Sequence, residues 1–211
     1  MPKIVDWDSK RDEILSATWR VIARDGLIGA TIRAIAKEAN CSRGILGHYF
    51  QDKADILGSA LVLSHRRVGA RMAAATKGLT GLAALRIVML EALPVDDRRD
   101  LEAQIEIAFW GRALGNAELR ELQHTEFDRL CDRLRGHLRE AADLGEMHDD
   151  FDINLATHQL VVLIDGLSVE RVLYRDRVSE QRQVEMLDRL LNSFRGLARR
   201  AQTDPGSRRF G

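Results

Sequence analysis

The sequence predicts an all-α protein on three observations. Strand signals are scarce, only three prolines interrupt the 211 residues, and apolar side chains recur at the spacing that turns one helix face toward a core. Hydrophobic residues make up 45% of the chain and charged residues 30%, a globular profile long enough to bury a core without cross-links. The pattern divides into four N-terminal helices and a larger helical body.

Ser9 is placed to cap a first helix, with Ile14, Ala17, Val21 and Ile22 as its apolar stripe. Asp25-Gly26 ends it, because glycine enters the left-handed C-terminal turn without a Cβ clash. Thr31 caps a second helix through its hydroxyl, and Ile35, Ala36 and Ala39 form the apolar side. Asn40-Cys41-Ser42 breaks the pattern. Asn40 suits a positive φ, Cys41 a small buried hydrophobe, and Ser42 the cap of a third helix. That helix turns Ile45, Leu46, Tyr49 and Phe50 to the core. Asp52 caps a longer fourth helix from Lys53 to about Ala75.

A fifth helix spans roughly 82–93 and stops at Pro94; "VDDRRD" then puts acids where the next helix dipole favours them. The sixth carries Leu101, Ile105, Ala108, Phe109 and Trp110 and breaks near Gly115-Asn116. The seventh shows a stripe of Leu119, Leu122, Leu130, Leu134 and Leu138. Gly145 and "HDDFD" precede two last helices, at about 153–174 and 180–201.

Charge and cysteine content narrow the function. With 32 basic and 32 acidic side chains, the balance argues against a chain coated in nucleic acid or held on an acidic membrane, though a local basic surface is compatible with it. Cys41 and Cys131 stand far apart without metal-type spacing, which implies reduced thiols and a cytoplasmic location. "MPKIVDWDSK" lacks the apolar stretch of a signal peptide, and "LVVLI" at 160–164 is too short to span a bilayer, so no membrane association is expected.

The stretch "TIRAIAKEANCSRGILGHYF", residues 31–50, raises a specific question. A core helix would not choose Ser42, Arg43, Gly44, Gly47 and His48. Helix, tight turn and helix within twenty residues is a helix-turn-helix, whose second helix enters the DNA major groove. Gly44 and Gly47 permit close approach, while Ser42, Arg43, His48 and Tyr49 offer donors to phosphates or base edges. Thr31, Arg33 and the free N–H groups of the second helix, with Lys53, supply a phosphate-facing rim. An ordinary helical hairpin is the plainer alternative.

The segment "ATIRAIAKEANCSRGILGHYFQDKADIL" resembles the N-terminal domain of TetR-family transcriptional regulators, in its helix-opening Thr, "IA", Ser42, Gly44, Leu46, "YF", Lys53 and Leu57. Asn40-Cys41 replaces the usual Gly-Val of the turn, and Gly47 stands where many members carry a phosphate-contacting tyrosine. "GILGHYF", "AFWGRALGNAELREL" and the "DGL" at 165–167 are similar to the BetI-like branch, whose best-known members respond to choline. The resemblance implies an N-terminal three-helix helix-turn-helix domain at 8–68, joined by a long helix to a C-terminal ligand-binding and dimerisation bundle at 78–201. It implies a homodimer paired through the two last helices, with Leu160, Val161, Ile164, Leu167, Leu187, Leu190 and Leu191 in the interface. The partners it implies are a near-palindromic double-stranded DNA operator and a small-molecule effector of the quaternary ammonium class.

Phe109 and Trp110 could offer such a cation aromatic faces, with Glu106 one turn away and Phe127 and Tyr174 from other helices. His158 and Asp165 are polar on an otherwise apolar helix and are further cavity candidates. Core packing and interface hydrogen bonds are the competing roles for all of these. Glu121-Leu122-Gln123-His124 has the Glu-x-x-His spacing of di-iron bundles, but no second pair accompanies it. The sequence shows no phosphate loop, HExxH, paired-cysteine site or nucleophile elbow, so neither enzyme activity, metal nor cofactor is expected. A ligand-released repressor is the resulting expectation; an activator, or a helical carrier or enzyme without DNA binding, are the alternatives.

Overall fold

Nine helices follow one another through the described residues of the computed structural model, 7–175 and 177–195, with no strand among them. They are α1 (Trp7–Gly29), α2 (Ile32–Glu38), α3 (Arg43–Tyr49), α4 (Lys53–Ala75), α5 (Gly81–Ala92), α6 (Asp97–Ala113), α7 (Ala117–Asp143), α8 (Ile153–Leu173) and α9 (Glu180–Phe194). The protein is all-α, with an N-terminal helix-turn-helix unit joined by α4 to a helical body. Residues 196–201 of the expected last helix lie outside the described residues.

Local chemistry sets most boundaries. Thr31, Ser42, Asp52, Asp96, Asn116, Asp152 and Ser179 each cap a helix through a side-chain oxygen. Ser9 does not: α1 is already helical at Trp7, so Ser9 sits inside its first turn. Gly26, at φ 68° and ψ 174°, breaks the helical path of α1.

Three apolar clusters hold the helices together. Ile14, Leu15, Ile35, Leu46, Phe50 and Ile56 close the core of α1 to α4. Leu85, Met89, Leu134, Leu138, Leu160 and Leu187 centre the core of the body. Between them lies a seam in which Val21, Ile22, Leu57 and Leu61 from α1 and α4 meet Ile105, Phe109 and Ala113 from α6 and Leu119 from α7. Leu57 and Phe109 are each essentially solvent-free. Truncating a buried phenylalanine of this kind to alanine costs about 3–5 kcal/mol.

Two expected faces turn out otherwise. Ile45 is exposed rather than core-facing, leaving Leu46 and Phe50 to anchor α3. Leu160, Val161, Ile164, Leu167, Leu187 and Leu191, expected between subunits, are buried within this one. α8 is apolar on more than one side, so its sequence does not say which side its own subunit takes. The outward side carries Leu155, Val162 and Leu173.

Candidate nucleic-acid interface and effector cavity

The link between α2 and α3 is built by its backbone. Cys41 donates its N–H to the Ala36 carbonyl at 3.0 Å and Asn40 to the Lys37 carbonyl at 3.2 Å, a Schellman closure with Asn40 at φ 49°. The Thr31 hydroxyl accepts from the Ala34 N–H at 3.1 Å, and the Ser42 hydroxyl from Ile45 at 3.2 Å. These bonds leave one polar face outward. Thr31, Arg33, Ser42, Arg43, Gly44, Gly47 and His48 are all exposed on it.

Among the described residues, a Cβ built at Gly47 would meet nothing within 4 Å, and at Gly44 only the Ser42 hydroxyl at 3.7 Å. Neither glycine has a positive φ. Internal packing therefore demands neither, and both leave the surface shallow for an outside partner. Tyr49 is half-buried against the Trp7 ring. Lys53 is half-buried as well; burial, then the charge of Arg112, lowers its pKa.

In the body, α4, α5, α6, α7 and α8 line a cavity of about 490 Å³ rich in charged side chains. Several of its acids are already paired. Arg71 binds Glu102 through two bonds of 2.8 and 2.6 Å and Glu91 at 3.1 Å, and Arg99 reaches Glu91 at 2.6 Å. His65 of α4 lies between two carboxylates: Nε2 is 2.7 Å from Glu106 of α6, and Nδ1 is 3.2 Å from Glu126 of α7. Glu106 also accepts from the Trp110 indole at 3.1 Å and from the Gln123 amide. Arg129 pairs with the other oxygen of Glu126.

Burial alone would lower the pKa of His65, but the hydrogen bonds and charges of Glu106 and Glu126 outweigh it and the net shift is upward. Glu106 moves the opposite way: burial opposes ionisation, and His65, Gln123 and Trp110 together prevail to lower it. Asp165, on the α8 wall, has no ion-pair partner among the described residues. Burial first, then the nearby negative charge of Glu106, pushes it up to about 6.

Of the residues expected to meet a ligand, Glu106, Trp110, Phe127 and Asp165 line this cavity. Phe109 does not; one step from Trp110 along α6, it points into the α4–α6 seam. His158 lies on the outer side of α8, in a groove of about 690 Å³ shared with Met186 and Leu190 of α9. Tyr174 is exposed beyond the end of α8, with the Arg177 guanidinium 5.1 Å from its ring centre. Sequence reasoning missed His65, Gln123 and Glu126. His65 meets its partners 41 and 61 residues away, and a lone histidine on a long helix gives no local sign of them. Glu121 and His124 stay exposed, and no metal-binding cluster occurs among the described residues. Nor is any described helix long and apolar enough to cross a membrane.

Comparison with known proteins adds to this geometry. Residues 14–60 match the family model for bacterial regulatory proteins of the tetR family, and residues 81–196 match the model for the C-terminal part of BetI-type transcriptional repressors. The HTH-type transcriptional regulator PksA of Bacillus subtilis (strain 168) is 32% identical over 183 residues, covering 86% of this chain and 88% of its own length. The HTH-type transcriptional regulator BetI of Burkholderia cenocepacia (strain HI2424) is 30% identical over 178 residues, with 79% and 84% covered. A Saccharomonospora viridis protein solved in complex with choline shares the fold, at a TM-score of 0.80 and 24% identity over 88% of this chain and 96% of that one.

Proposed function

The chain belongs to the TetR family of transcriptional regulators, with a BetI-type C-terminal region, and from that membership we propose that it is a homodimeric repressor released from its operator by a small quaternary ammonium compound. In this reading residues 8–68 are the DNA-binding domain and 78–201 the effector-binding and pairing domain. Each subunit sets α3 in the major groove of one half-site, with Arg43, His48 and Tyr49 toward the bases and Thr31, Arg33 and Lys53 toward phosphates. Twofold symmetry then calls for a near-palindromic operator. The outward side of α8 and α9, with Leu155, Val162 and Met186 exposed around its groove, is the pairing surface.

The observation that carries the reading is the course of α4. Its Ile56 and Ala60 pack the helix-turn-helix core, and its Val62, His65, Val68 and Met72 wall the cavity. A molecule in that cavity touches the helix that positions α3. The lining favours a cation: Asp165 is a carboxyl without an ion-pair partner among the described residues, and Trp110 and Phe127 present aromatic surface. The BetI relatives and the choline-bound S. viridis protein support the same class. The effector acts only through its differential affinity for the two states, so operator DNA weakens effector binding by the same factor.

The test is binding of the full chain to the promoter region beside its own gene under a salt titration, followed by choline and betaine aldehyde. Steep loss with salt and sequence selectivity support the regulator, because phosphate contacts release counterions. Release by either compound supports the effector class. Selective binding without release discards these effectors. Failure on both that promoter and random-sequence selection overturns the DNA-binding reading.

A further inference from the structure

A neutral imidazole carries one N–H and could serve only one of the two carboxylates beside His65; imidazolium donates to both. The two carboxylates share a design. Glu106 gives Oε1 to Trp110 and Gln123, and Glu126 gives Oε1 to Arg129, while Oε2 of each is turned to His65. One cation on α4 thus ties that helix to α6 and α7, and it does so in the wall of the cavity.

We infer that His65 is a built-in stand-in for the effector: an incoming ammonium group takes the Oε2 side of Glu106 and Glu126, and α4 is thereby released from α6 and α7. The inference rests on the cationic-effector reading above and supplies its coupling step. Charge balances in the exchange. One permanent cation enters, and His65, left half-buried without its carboxylates, gives its proton to solvent. Burial alone already favours the neutral ring, since only Glu106 and Glu126 hold its pKa above the ordinary value.

The other charged groups around His65 are placed differently. On α7, Arg129 stays paired with Glu126, and on α6, Glu102 is held by Arg71. On α4 the neighbouring Arg66 is exposed, and His124 of α7, which also lines the cavity, is exposed rather than held between two carboxylates. Asp165 of α8, which titrates at about 6, is largely ionised above pH ~7.

The decisive measurement is calorimetric titration of the full-length protein with choline and with tetramethylammonium, repeated in buffers of different ionisation enthalpy. Near neutral pH cation binding releases protons, and the release dies away as pH rises through the raised pKa of His65. His65→Gln abolishes the release, tightens cation binding roughly tenfold by removing the competitor, and weakens operator binding without any ligand. Binding of either cation without proton release overturns the inference and leaves the effector class standing. Absence of binding by both overturns the two together. If His65→Gln does not fold, the count is repeated on His124→Gln, in which the release must persist; its loss there overturns the inference.

Discussion

The rings of Trp7 and Tyr49 pack with centroids 4.2 Å apart and planes tilted by 32°, so the first turn of α1 holds the last residue of α3 in place. Aromatic pairs contribute about 0.5–1.5 kcal/mol beyond their area. Trp7→Ala should therefore weaken operator binding by roughly 2- to 10-fold while the protein still melts cooperatively. Fluorescence anisotropy with labelled operator measures this, and an unaltered affinity would show that Tyr49 needs no such support.

Gly47→Ala separates folding from DNA contact. No described residue lies near the added methyl, so the change should stabilise α3 by about 0.5–1 kcal/mol through the helix preference of alanine. On the DNA-facing reading the same methyl stands between helix and groove, and operator affinity should drop about tenfold. A higher melting temperature with full affinity would place the DNA elsewhere.

Gly81→Ala should do the reverse. The N-terminus of α5 lacks a side-chain cap from Thr80; instead the Gly81 and Leu82 N–H groups donate at 2.9 and 2.7 Å to Glu140 and Glu146. Gly81 has φ 55°, and a Cβ there would collide with the Glu146 carboxylate. A loss of roughly 1–3 kcal/mol is expected from backbone strain and the displaced carboxylate. Urea titration checks it, and a variant as stable as the parent would mean that this end of α5 readjusts.

Asp165→Asn trades stability against ligand. A carboxyl whose folded-state pKa is raised from 3.8 to about 6 loses stability as pH climbs through that window, because the unfolded chain gives up the proton first. Above it the asparagine variant should melt higher by about 2–4 °C, the effect of ~1 kcal/mol in a chain of this size once partial solvation is allowed for. Below pH ~4 the two should coincide. Choline binding should weaken in parallel at neutral pH. A variant that binds choline normally would remove Asp165 from the site.

The helix-turn-helix was readable because its determinants are local. Thr31, Asn40 and Ser42 act on backbone groups within five residues, and sequence spacing reports such bonds directly. The cavity was half readable. Glu106 and Trp110, one turn apart on α6, follow from helical spacing. His65 joins them only after α4 and α6 pack, a fact no local pattern carries. Phe109 and Trp110 look equivalent in sequence, yet the turn of roughly 100° between consecutive helix residues sends one into the seam and the other into the cavity. The leucines of α8 misled for a related reason. A helix apolar on several sides fits its own subunit and a second one equally well until the fold is known.

The seam of Val21, Ile22, Leu57 and Leu61 with Ile105, Phe109 and Ala113 has a practical consequence for anyone building chimaeric sensors. Residues 8–68 do not form a portable cartridge. Grafted onto a foreign sensor, they would present four large apolar side chains to a surface shaped for others, and the signal would be lost at the graft even if both halves folded. On the DNA-facing reading of α3, new operator preferences are better introduced by rewriting its outer face alone, leaving α1 and α4 with the α6 they are fitted to.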